Sequence, residues 1–144
     1  MSPNSIQSPS QAFIAVGSNI DPEDNIIAAL ILLTGRTRVK RSSTFYRTEP
    51  IGSPGQPEFV NGLWQIEAGL GPVQIRDDLL RPIEDELGRI RSADKFVPRV
   101  IDLDLVLYGD FVADNGTLKL PHPDIVRPFV HIPLMELGLS GFAA

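Results

Sequence analysis

The spacing of apolar residues changes period along the chain, and each change marks an element. Residues 12–16 form a short apolar run closed by Gly17, Ser18 and Asn19, which suit a turn, so a first strand is predicted there. Asp21 or Pro22 then opens a helix: proline is tolerated in a first turn, Glu23 and Asp24 complement the positive helix end, residues 26–33 supply the buried face, and Gly35 stops it. Residues 39–48 show polar alternation and predict a second strand; residues 59–68, with Val60, Trp64 and Ile66 as bulk, predict a third. Pro72 starts a second helix, in which Val73, Ile75, Leu79, Leu80, Ile83 and Leu87 recur near helical spacing before Gly88. The segment from Pro98 to Tyr108 predicts a fourth strand, and the last part, residues 118–139, is loop-rich with Pro121, Pro123, Pro128 and Pro133. The order strand, helix, strand, strand, helix, strand is that of a ferredoxin-like α+β sandwich, one antiparallel sheet with helices packed on one face.

The fourth strand breaks its own apolar pattern with two carboxylates. Residues two apart on a strand share a face, so Asp102 and Asp104 point one way while Ile101, Leu103, Leu105 and Leu107 line the other. Standing roughly 7 Å apart at the backbone, two acids can converge on a cation. Just upstream, Arg89, Arg91, Lys95 and Arg99 crowd four cations into a short loop. Hard carboxylate oxygens suit Mg2+, and guanidinium groups suit phosphate oxygens, so the combination points to a polyphosphate. A solvated face on an edge strand is the plainer reading of the acid pair alone, and the basic loop shifts the balance to metal and phosphate. Between the second and third strands, residues 49–58 hold three prolines and two glycines. That composition suits a shaped or mobile element over a site.

Composition narrows the class of protein. A chain of 144 residues with 42% apolar and 22% charged residues fits one compact domain, here residues 12–144, preceded by a Ser- and Pro-rich flexible tail over residues 1–11. A formal net charge of −5 argues against nucleic acid and anionic membranes as partners and leaves room for a local basic patch that attracts a small anion. The absence of cysteine excludes disulfides, thiolate metal sites and a thiol nucleophile, and is compatible with the cytoplasm. The start of the chain lacks a secretory pattern, and no apolar run is long enough to span a bilayer.

Several separated motifs together resemble the 6-hydroxymethyl-7,8-dihydropterin pyrophosphokinase family, from about Phe13 to Leu137. They are Gly17-Ser18-Asn19, Phe45-Tyr46-Arg47-Thr48-Glu49-Pro50-Ile51-Gly52, Phe59-Val60-Asn61, Pro98-Arg99 with Asp102-Leu103-Asp104, and Pro121-His122-Pro123. Their order and spacing make the likeness specific where a single motif is weak. The resemblance implies transfer of pyrophosphate from ATP to the hydroxymethyl group of a reduced pterin, with release of AMP and with Mg2+ as cofactor. It implies that Asp102 and Asp104 ligate metal, with Asp102 also near the pterin hydroxymethyl, and that Arg89 and Arg99 stabilise charge on the transferring group.

By the same resemblance Thr48, Ile51, Phe59, Asn61 and Phe129 bind the pterin, and Arg81, Glu84, Arg91, Lys95, Phe96, Leu105, His122 and Arg127 contact ATP. Read as residues alone, Phe59 and Phe129 are equally core packing, His122 a turn residue between prolines, and Arg127 a surface charge. Asn61 in an apolar strand needs partners if it is buried. Val97, Phe96 and Arg81 depart from the family pattern, where Gly or Ala, Trp, and Gln are usual. The expected protein is a monomer or weak homodimer whose two loops, residues 49–58 and 89–99, close over ATP. The rival readings are a metal-dependent phosphotransferase with another acceptor and a noncatalytic nucleotide- or pterin-binding relative.

Overall fold

The computed structural model describes residues 10–48, 55, 57–88 and 100–139. The elements run β1 (Ser10–Ser18), α1 (Pro22–Thr34), β2 (Arg38–Ser42), β3 (Tyr46–Thr48), β4 (Phe59–Ala68), a helical run α2, β5 (Asp102–Tyr108), a hairpin of β6 (Ala113–Asp114) and β7 (Lys119–Leu120), a 3-10 turn (Pro123–Val126) and α3 (Pro128–Glu136). All strand pairs are antiparallel. The sheet order is β2-β4-β1-β5, with β3 pairing beside β2 along β4, so β1 and β4 lie at the centre and β5 at an edge. This is the expected α+β ferredoxin-like sheet.

Alternation along the two central strands divides the core. Ala12, Ile14 and Val16 of β1 and Trp64, Ile66 and Ala68 of β4 face α1 and α2, meeting Ala29, Leu33, Ile75, Leu79, Leu80 and Ile83. Phe13 and Leu63, one residue out of phase, face the opposite side and pack against Val130, Leu134 and Leu137. The expectation of helices on one face is therefore corrected: α3 covers part of the second face. Pro128 is compatible with helix because it occupies the first turn, while Pro133 lies inside the helix and is tolerated there by packing on the sheet. In α1 the buried stripe is also narrower than residues 26–33, since Ile27 and Ile31 are 57% and 65% exposed.

Two further departures have local causes. The predicted strand over residues 39–48 breaks at Ser43, whose Oγ accepts from the Leu63 N–H in place of a backbone carbonyl. The break lets the Phe45 ring turn in over Gly62 and reach Trp64 at 6.0 Å between centroids. A Cβ on Gly62 would lie 2.6 Å from that ring. Gly62→Ala is expected to cost about 1–3 kcal/mol through overpacking, measured as a drop in the urea unfolding midpoint.

The second departure is a bulge where β5 meets β1 between Phe13 and Ile14. Beyond it Val106 and Leu107 both lie in the α3-side core, so Leu107 does not share a face with Leu103 and Leu105 as expected.

The helical run α2 has a π-helical centre. It comprises Pro72–Gln74, a π stretch at Ile75–Leu80 and Arg81–Glu86. Pro82 has no N–H to offer the carbonyl of Asp78, and the Arg81 N–H reaches back five residues to the Arg76 carbonyl. Edge strand β2 carries Arg38, Lys40 and Arg41, charges that discourage pairing with another chain.

Candidate functional site

Sheet register brings residues from four strands into one patch. Gly17 pairs with Asn61 on one side and Asp102 on the other, and Ala15 pairs with Leu63 and Asp104 in the next row. Counting alternation from the two cores, Gly17, Phe59, Asn61, Asp102 and Asp104 all face the α3 side. Thr48 pairs with Phe59, and its hydroxyl accepts from the Asn61 amide at 2.6 Å. Phe129, in the first turn of α3, packs partly buried on the core of this same face. Thus Thr48, Phe59, Asn61, Asp102 and Phe129, scattered over the sequence, share one side of the sheet.

The floor of the patch is cut by a missing side chain. A Cβ on Gly17 would fall 2.6 Å from Asn61 Oδ1 and 3.9 Å from the Phe59 ring. The Asn61 amide therefore lies over the Gly17 backbone, fixed by the Thr48 hydroxyl. In the sequence Gly17 marks the end of a strand; its role beneath Asn61 depends on a cross-strand pairing that no local pattern reveals.

A groove of about 520 Å3 runs along the outer edge of β5. Arg81, Glu84, Leu105 and His122, all expected to contact nucleotide, line it together with Asp104. Arg76, Thr117 and Lys119 line it too and were not foreseen. Arg76, in the π stretch, donates to the carbonyl of Thr117 in the turn between β6 and β7 at 2.5 Å. It also pairs with Asp77 at 2.8 Å, and Arg81 stands 3.7 Å from the same carboxylate. The Arg76 hydrogen bond holds the Asp77 carboxyl below the usual carboxylate range, with the Arg81 charge adding to it. Two cations are thereby kept at one rim of the groove.

Glu84 braces the groove from beneath. It is 2% exposed, and its Oε2 accepts from the Leu103 N–H at 2.8 Å. That bond shows the Leu103 amide pointing away from the sheet, so Leu105, two residues on, presents its N–H and C=O to the groove. Glu84→Ala strands a buried amide, and a loss of about 1–3 kcal/mol is expected in chemical denaturation, with weakened ATP binding.

His122 is oriented by its own turn. Its Nδ1 accepts from the Asp124 N–H at 3.0 Å, and the His122 backbone N–H donates to the Val106 carbonyl at 2.9 Å. With Nδ1 accepting, the neutral ring carries its proton on Nε2. Arg127 does not line the groove; its Nε donates to Asp124 at 2.9 Å and its side chain is 54% exposed. Ile51, Arg89, Arg91, Lys95, Phe96, Val97 and Arg99, with most of the two predicted loops, lie outside the described residues.

Asp102 and Asp104 suit a hard cation that keeps other ligands. No cluster of three or more acidic, histidine or cysteine side chains able to hold a metal occurs among the described residues. A pair of carboxylates on one strand face is a donor set that Mg2+ accepts together with waters and substrate phosphates.

The fold and this geometry define a ferredoxin-like α+β protein with a polar groove along one edge strand and a patch of polar and aromatic side chains on the adjoining sheet face. The family model for 7,8-dihydro-6-hydroxymethylpterin-pyrophosphokinase matches residues 13–138. The chain is 39% identical over 131 residues to a 2-amino-4-hydroxy-6-hydroxymethyldihydropteridine pyrophosphokinase of Haemophilus influenzae, covering 88% of this chain and 81% of that one. It is 41% identical over 132 residues to a Synechocystis protein of the same description, covering 88% and 66%. A bifunctional folate synthesis protein of Pisum sativum matches 88% of the chain at 37% identity, over 25% of its own length. The chain belongs to the 7,8-dihydro-6-hydroxymethylpterin-pyrophosphokinase family.

Proposed function

We infer that the chain carries out its family's reaction, transfer of pyrophosphate from ATP to 6-hydroxymethyl-7,8-dihydropterin in folate biosynthesis, giving AMP and the pterin diphosphate. The observation that carries the placement of the site is the register that aligns Asn61, Gly17 and Asp102 across three strands, beside the β5 groove. The pterin lies on the sheet face between Phe59 and Phe129, its polar edge read by Asn61 and Thr48, since an amide both donates and accepts. Ile51 belongs to the same site by resemblance.

ATP lies along the β5 edge. The outward peptide groups of Leu105 offer one donor and one acceptor to the base, in the manner of a strand edge. Arg81, Arg76 and Lys119 supply positive charge, and the His122 Nε2–H supplies a donor. By resemblance Arg89, Arg91, Lys95, Phe96 and Arg99 complete the nucleotide side, while Arg127 acts from outside the groove.

Asp102 and Asp104 would hold Mg2+, which when bound neutralises phosphate charge and orients the phosphate oxygens. Asp102, next to Gly17 and Asn61, borders both substrates, so it brings the acceptor hydroxyl toward the β-phosphorus. The new bond joins that oxygen to the β-phosphorus, its proton is released to solvent, the bond to the α,β-bridging oxygen breaks, and AMP leaves with it. Positioning and electrostatics carry such a transfer, and no covalent enzyme intermediate is needed. Cytoplasmic location and a monomeric or weakly dimeric state form part of this reading.

The test is incubation of the pure chain with ATP, Mg2+ and 6-hydroxymethyl-7,8-dihydropterin. AMP and a pterin diphosphate are expected. ADP would mean single phosphoryl transfer, and ATP binding without either product would mean a noncatalytic relative.

A further inference from the structure

Among the elements around the site, α3 has little internal support. It has nine residues, Pro133 lies inside it, and its N-cap Arg127 makes no side-chain cap bond. Pro133 has no N–H for the Phe129 carbonyl four residues earlier, so the helix loses a bond next to the residue assigned to the pterin. Contacts outside the helix must fix its rotation. Val130, Leu134 and Leu137 provide one anchor by packing on the sheet.

Glu136 provides the other. Its Oε2 accepts from the Thr44 N–H at 2.8 Å and the Thr44 hydroxyl at 2.7 Å, and its Oε1 accepts from the Tyr46 hydroxyl at 2.8 Å. A carboxylate in a last helical turn opposes the helix dipole, so the helix itself does not favour it there. The Thr44 hydroxyl, then its N–H and Tyr46, hold the Glu136 carboxyl below the usual range. The same contact pushes the Tyr46 phenol up.

Phe129 and Glu136 are seven residues apart, so they lie on nearly the same helix face about 10 Å from each other. Thr44 and Tyr46 lead directly into Thr48, which holds the Asn61 amide. One surface carboxylate thus ties the helix carrying Phe129 to the strand carrying Thr48.

We propose that Glu136 is a positioning residue for the acceptor, clasping α3 to β3 and setting the gap between Phe129 and the Thr48–Asn61 pair into which the pterin ring fits. The inference rests on the pterin site assigned above. Glu136 touches no reacting atom, and the β5 groove does not involve it, so ATP is an internal control.

Steady-state kinetics on the full chain test it with Glu136→Gln and Tyr46→Phe. Glu136→Gln is expected to raise the KM for 6-hydroxymethyl-7,8-dihydropterin about ten-fold, as loss of a charge-assisted bond does. Tyr46→Phe raises it less, and the double variant adds little, because the two changes break a shared contact. The KM for ATP and kcat at saturating pterin stay at wild-type values.

An unchanged pterin KM in Glu136→Gln overturns the clasp, even if the thermal midpoint falls. Parallel increases in both KM values overturn it as well, since they report a general loosening of the fold. A wild-type chain that forms no pterin diphosphate overturns the underlying reading instead, which separates the two failures.

Discussion

Asp102→Ala and Asp104→Ala are each expected to abolish pterin diphosphate formation, with kcat reduced by at least about a thousand-fold. Metal-assisted charge neutralisation supplies several kcal/mol to a phosphoryl-type transition state, and each 1.36 kcal/mol is a factor of ten in rate. The fold should survive both changes. Asp102 and Asp104 are partly exposed on the sheet face, and the apolar clusters contain their neighbours Ile101, Leu103 and Leu105. Shortening either acid opens no core cavity. Unchanged circular dichroism should accompany the loss of turnover. Retained activity in either variant would remove that residue from the metal site.

The second large effect is expected at a residue with no functional group. Gly17→Ala places a methyl where Asn61 Oδ1 now lies, 2.6 Å from the new Cβ, with the Phe59 ring close by. The amide must swing away and lose its bond to the Thr48 hydroxyl, or the two central strands must part. Moving a small terminal amide is the easier of the two. We expect kcat/KM for the pterin to fall about a hundred-fold, the cost of a displacement near 1 Å in a positioned substrate. ATP-analogue binding, measured by calorimetry, should remain near wild type because the β5 groove lies at the sheet edge. Equal weakening of both ligands would show instead that the central strands had separated.

Much of this architecture was legible in the chain. The boundaries of β4 matched its run of apolar and aromatic residues, and α1 began at the proline that the acidic first turn announced. The acid pair in β5 was visible because two carboxylates interrupt an otherwise apolar strand. The misses share a cause. Proline-based reading turned α3 into loop, because local propensity ignores the packing of Val130, Leu134 and Leu137 that pays for a short, proline-containing helix. Arg76 and Lys119 were not linked to the β5 groove, since the π turn and the β6–β7 hairpin that bring them together leave no periodic signature. Phe59 and Phe129 could be core or site from sequence alone, and only their half-buried placement on one face supports the second.

By itself, the sequence determined the alternation of elements, the antiparallel α+β class and the chemistry of the residues available, because short-range spacing and side-chain type are properties of the chain. Tertiary structure decided which residues meet. Cross-strand register set Gly17 between Asn61 and Asp102, the bulge beyond Leu105 moved Leu107 to the other core, and Glu136 came to hold residues about ninety positions away. Such contacts arise from burying both sheet faces at once. That is a long-range requirement, satisfied only when the whole chain has folded, and no window of local sequence contains it.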